Sequence, residues 1–205
     1  MIVIGCAIVA SPLDQISGIG VIGNKNLLVP KSPLIISWRV KMYERSIELL
    51  NKAAADELAA VNQYMYFHFH CDDQGYDLLA GLFKRTAIEE MGHVEECAER
   101  ILFLGGDVEM APAMKVEKIQ DVRAMLEMGR KMEEGSVQDY NKWANECSAN
   151  ADANSRKVFE ALIDDEERHF DQYDNEMANI DKFGEKYLAL QSLERSKAMA
   201  APGGG

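Results

Sequence analysis

The chain has 205 residues, enough for one domain with a sizeable core, and a formal net charge of −12. The first 41 residues hold four of the basic and one of the acidic residues, so the remainder carries −15, a surface that repels nucleic acid and attracts cations. Few prolines beside plentiful Ala, Glu, Leu and Met favour an all-α fold, and the four cysteines show neither C-x-x-C nor zinc-finger spacing.

Residues 1–41 have no helical period; they carry Gly5, Gly18, Gly20, Gly23, Pro12, Pro30 and Pro33 among β-branched clusters. No basic residue precedes the apolar start, so a secretory signal is a poor reading. An upstream extension, or a mis-assigned start with the working chain beginning near Met42, is the expectation. From Met42 the period becomes helical. The first helix runs to about His70, before the turn signal Asp72-Asp73-Gln74-Gly75, with Leu50, Ala54, Glu57, Val61, Tyr64, His68 and Cys71 on its inward stripe. The second, from about Tyr76 to Gly105-Gly106, turns Leu79, Phe83, Glu90, His93, Cys97 and Ile101 inward.

A stretch of about a dozen residues containing Pro112 suits a crossover between parallel helices. The third helix, about Lys118 to Cys147, aligns Val122, Leu126, Gly129, Glu133, Val137, Tyr140, Ala144 and Cys147. After 148–154 the fourth aligns Val158, Leu162, Glu166, His169 and Tyr173, and a short fifth helix follows Gly184. A bundle domain over 42–196 and a disordered tail over 197–205 complete the expectation. No apolar run approaches the ~20 residues that span a bilayer, and unpaired cysteines favour a reducing compartment, so a soluble cytoplasmic protein is the default.

Two sets of four residues repeat at one offset. Glu57, Tyr64, Glu90 and His93 recur 76 positions later as Glu133, Tyr140, Glu166 and His169. On a helix, i and i+7 share a face, as do i and i+3, so four carboxylates, two imidazoles and two phenols converge on one core. Buried without partners, each carboxylate costs several kcal/mol, and four would cancel a domain's ~5–15 kcal/mol of stability. The matching stripes offer no Lys or Arg; two divalent cations would serve. Oxygen ligands with one imidazole per metal point to iron or manganese rather than zinc or copper. In this geometry Glu90 and Glu166 bridge the ions, Glu57 and Glu133 close one ion each, and His93 and His169 cap them. Tyr64 and Tyr140 reach the opposite terminal carboxylates.

The segments DELAAVNQY, EEMGHVEECAERILFLGG and LIDDEERHFD resemble bacterioferritin, and the resemblance extends from Met42 to about Leu193. It implies a ferritin-like four-helix bundle with one long crossover and a short fifth C-terminal helix. It also implies two-fold dimers within a 24-subunit shell, and ferroxidase activity that uses O2 or H2O2 on two Fe per subunit to feed a stored mineral. By the same resemblance Met91 is the axial ligand of a b-type haem shared between two subunits, and a ferredoxin-like donor drives iron release. No nucleic-acid or membrane partner is expected. The sequence departs from the family at Gly92, where lysine is common, at Arg85, where some members have an inner-surface histidine (Glu89 keeps a carboxylate nearby), and at Cys97, a thiol near the metals. The rival readings are a rubrerythrin-like peroxide reductase, which needs a four-cysteine iron domain absent from this spacing, a passive haem or iron reservoir, and a peroxide-protective, DNA-coating cage, which the charge disfavours.

Overall fold

The computed structural model describes Trp38, residues 40–184, residues 186–190 and Leu193. The expected extension and tail lie outside the described residues except for Trp38, Val40 and Lys41, which are helical, so helical backbone begins upstream of Met42.

Four long helices follow: α1 (Glu44–Asp73), α2 (Asp77–Leu104), α3 (Val122–Ala149) and α4 (Ala153–Phe183). Residues 74–76 and 150–152 fold α1/α2 and α3/α4 into tight hairpins, and these two pairs make the most extensive helix contacts. α1 also packs on α3, and α2 on α4, which closes the bundle. Among the described residues no helix is long and apolar enough to cross a membrane.

The helix ends follow local chemistry. α2 stops at Gly105, whose φ of 88° lies in the left-handed region, with its N–H and that of Gly106 closing on Leu102 and Ile101 carbonyls. α3 starts at Val122, four residues later than its periodicity suggests, because the Asp121 carboxylate caps the Ala124 N–H. α4 is capped by Asp152, which accepts from the Ser155 N–H while Arg100 of α2 donates to it at 2.6 Å. Residues 186–190 are helical, in agreement with a short fifth helix; Leu188 packs on the core and the Tyr187 hydroxyl donates to Glu176.

The crossover, residues 105–121, is longer than expected and runs along α1. Asn51 donates to the Asp107 carbonyl and accepts from the Glu109 N–H; the Ala113 N–H donates to the Ala55 carbonyl; Gln63 exchanges two hydrogen bonds with the Glu117 backbone. These satisfy backbone groups that the irregular segment would otherwise leave unpaired.

The interior is divided. One apolar cluster gathers around Phe67, Phe83, Met125, Leu126 and Tyr173, and the other around Leu50, Ile101, Trp143, Phe159 and Leu162. Tyr64 belongs to the first and Tyr140 to the second. The repeated Glu and His residues are buried as well and are absent from both.

Candidate metal centre

All six expected ligands meet. Glu57 comes from α1, Glu90 and His93 from α2, Glu133 from α3, and Glu166 and His169 from α4; each is at most 4 % exposed. Their ligand atoms form two quartets, Glu57–Glu90–His93–Glu166 and Glu90–Glu133–Glu166–His169, with all atoms of a quartet within 4.8 Å of one another. Glu90 and Glu166 belong to both. A carboxylate common to both quartets could serve two ions and one confined to a single quartet only one, and each quartet holds one imidazole.

The donor atoms converge on shared centres rather than on one another. His93 Nδ1 lies 2.8 Å from Glu90 Oε2 and 3.2 Å from Glu166 Oε1; His169 Nδ1 lies 3.2 Å from Glu90 Oε1 and 3.7 Å from Glu166 Oε2. Yet both Nδ1 atoms, both Glu90 oxygens and Glu166 Oε1 are buried without a hydrogen bond. Buried polar atoms are almost always paired, so five orphans in one place call for a ligand, and divalent cations satisfy all of them. The donor set, oxygen-rich with one nitrogen per ion, fits iron or manganese.

The surrounding charges confirm how costly the cluster is without cations. Burial, then the charges of Glu166 and Glu90, push the Glu57 carboxyl well above the usual carboxylate range. Burial, then Glu90 and Glu166, do the same to Glu133. Burial opposes a charge on the imidazoles, but the Glu166, Glu57 and Glu90 carboxylates outweigh it and raise His93; Glu166 and Glu90 raise His169 to about 10. Burial would raise Glu166 too, but contacts with Glu133 and both imidazoles hold it below its ordinary value. In the absence of metal, protons balance the charge.

The outer contacts hold the ligands in place. The Tyr64 hydroxyl donates to Glu133 Oε1 and the Tyr140 hydroxyl to Glu57 Oε1, each reaching across from α1 to α3 or back, as their i+7 spacing suggested. His169 Nε2 contacts Glu89 Oε2 at 2.6 Å, and His93 Nε2 contacts Asp165 Oδ2 at 3.4 Å. Arg168 donates to both outer carboxylates, at 3.0 Å to Glu89 and 2.6 Å to Asp165. Sequence reasoning noticed Glu89 but missed Asp165 and Arg168; the available signal was that Glu89 and Asp165 also stand 76 positions apart.

Cys97 is fully buried, and burial, then the Glu57 charge, keep its thiol protonated. Cys71 and Cys147 are buried free thiols as well. Met91 lies on the opposite face of α2 from Glu90 and His93 and is 45 % exposed. It stands apart from the six ligands.

Between α1 and α3 a cavity of about 210 Å³ reaches the centre, lined by Asp56, Glu57, Glu133, Asp139, Lys131 and Met114 among others. Burial, then the Asp139 charge, raises the Asp56 carboxyl to about 6.

A ferritin-like domain family matches residues 47–183 of the chain. The chain is 38 % identical to the bacterioferritin of Desulfovibrio desulfuricans over 143 residues, which cover 70 % of this chain and 80 % of that protein. It is 33 % identical to the bacterioferritin of Rhodobacter capsulatus over 145 residues, 70 % of this chain and 89 % of that one. The crystal structure of the Desulfovibrio desulfuricans bacterioferritin, a study of its diiron site in different catalytic states, superposes with a TM-score of 0.73 at 36 % identity, covering 75 % of this chain and 90 % of that one.

Proposed function

Since this chain belongs to the bacterioferritins of the ferritin-like family, we propose that it is an iron-storage protein that oxidises Fe(II) to Fe(III) at the paired-metal centre inside each subunit. The observation that carries the reading is the pair of quartets sharing Glu90 and Glu166, complete in one chain and otherwise unsatisfied. Two substrate Fe(II) ions held there would supply the two electrons that O2 or H2O2 takes up.

The protein's part is to bind, orient and exchange protons. Glu90 and Glu166 would serve both ions, Glu57 and Glu133 one each, and His93 and His169 would complete the two positions through Nδ1. Tyr64 and Tyr140 fix which oxygen of each terminal carboxylate faces inward. The Glu57 and Glu133 carboxyls and the two imidazoles give up protons as ions enter and can take them back as the ions leave. Substrate Fe(II) has a path along the cavity between α1 and α3, where Asp56 and Asp139 place negative charge in front of Glu57 and Glu133.

The family carries further proposals. Copies of this chain pair as two-fold dimers within a 24-subunit shell in the cytoplasm, and a ferredoxin-like donor returns electrons for iron release. Met91, 45 % exposed on α2, would ligate a b-type haem between two subunits. Haem reconstitution tests this separately: the bis-thioether spectrum expected of the wild type should vanish in Met91→Leu, and its survival there refutes the assignment.

Storage is tested by adding excess Fe(II) in air and measuring the iron that co-elutes with the assembled protein. Glu90→Ala and Glu166→Ala should lose most of it; retention equal to wild type would refute the proposal.

A further inference from the structure

The 76-residue repeat makes the two halves of the centre nearly equivalent, and it fails at two positions beside the ligands. Glu57 matches Glu133, Glu90 matches Glu166, His93 matches His169, and Glu89 matches Asp165, a side chain one methylene shorter. Arg168 matches Gly92, a position with nothing within 4 Å of where a Cβ would stand. One arginine therefore serves both outer carboxylates, and it serves them unequally. It lies 2.6 Å from Asp165 and 3.0 Å from Glu89. The imidazole contacts run the other way: His169 is 2.6 Å from Glu89, whereas His93 is 3.4 Å from Asp165, beyond the range of a strong hydrogen bond. Asp165, short and drawn to Arg168, gives His93 little support.

A carboxylate on the far nitrogen of a ligating imidazole fixes its tautomer and raises its basicity, and losing that contact lowers metal affinity about 10–100-fold. Resting on the two-metal reading above, we infer that Arg168 is a positioning residue that makes the two metal positions unequal, the His169 position binding its divalent cation more tightly and filling first.

Co(II) titration of the metal-free assembled protein, followed by visible absorbance, reads this without any turnover. Two Co(II) per subunit should bind in two steps separated by about tenfold or more. The tight step should survive in His93→Ala and disappear in His169→Ala. Arg168→Ala frees Asp165, and Asp165→Glu supplies the missing reach, so each should bring the two affinities together. Arg168→Lys keeps the charge but cannot grip both carboxylates, and should fall between wild type and Arg168→Ala.

Equal affinities in the wild type would overturn the inference, as would a tight step that depends on His93, or a separation unchanged in Arg168→Ala. Failure to bind two Co(II) per subunit at all would overturn the two-metal reading, a distinct result.

Discussion

Filling the metal-free centre should expel protons in a number set by its charge balance. Four carboxylates offer four negative charges, which two divalent ions neutralise while the imidazoles bind as neutral bases. In the metal-free protein protons do this work: His169 is raised to about 10, His93 is raised as well, and the Glu57 and Glu133 carboxyls are pushed well above the ordinary range. Near pH 7 two imidazolium protons, and as many as two carboxyl protons, occupy the centre. Loading with redox-inert Zn(II) should therefore release about two to four protons per pair of ions. Protons compete with the cations, so affinity rises with pH as long as these groups stay protonated in the metal-free form, up to about the point where His169 titrates. With two protons displaced, each unit fall in pH should weaken binding of the pair about a hundredfold. Isothermal titration calorimetry at pH 7 in two buffers of different ionisation enthalpy counts the protons directly, and Glu57→Gln should lower the count. Release of fewer than about one proton per pair would show that the metal-free imidazoles are already neutral, and would refute the electrostatic reasoning.

Tyr64→Phe and Tyr140→Phe each remove the donor to a terminal carboxylate, so each should weaken metal binding by about 10–100-fold, measurable by the same titration. Asp56→Asn should stabilise the metal-free protein at neutral pH. A carboxyl raised from 3.8 to about 6 in the fold costs nothing below pH 4 and its full penalty above pH 6. That penalty is about 3 kcal/mol before screening and about 1–2 kcal/mol after discounting for partial exposure, so urea melts should show the gain at pH 7.5 and none at pH 4. Arg100→Ala strands the Asp152 carboxylate, which is 3 % exposed and caps α4, and should cost about 2–4 kcal/mol by urea denaturation; an unchanged midpoint would mean the pair contributes nothing.

The ligand set was legible because burying charge without a partner is so unfavourable that six polar residues on apolar stripes admit few explanations. The i+7 spacing of the tyrosines likewise placed their hydroxyls on the opposite carboxylates. The crossover was harder. Its path along α1 depends on Asn51 and Gln63 amides whose backbone partners lie 54 to 58 residues away, and nothing local to 105–121 announces them. The start of α3 was misplaced because Asp121, three residues past the apparent start, supplies the cap. Val61, His68 and Val137 occupy inward stripes yet remain half-buried, while Gln63 is buried against the crossover. Arg168 and Asp165 read as ordinary surface charges, with side chains 43 % and 45 % exposed; the contacts of Arg168 with Glu89 and of Asp165 with His93 exist only once α2 and α4 lie side by side.

The most direct measurement is anaerobic Fe(II) titration of the metal-free protein, followed by stopped-flow absorbance on mixing with O2 or H2O2. Saturation at two Fe(II) per subunit and rapid oxidation, both lost in Glu90→Ala and Glu166→Ala, are expected from the paired quartets. Oxidation no faster than in those variants would contradict the assignment of a ferroxidase centre.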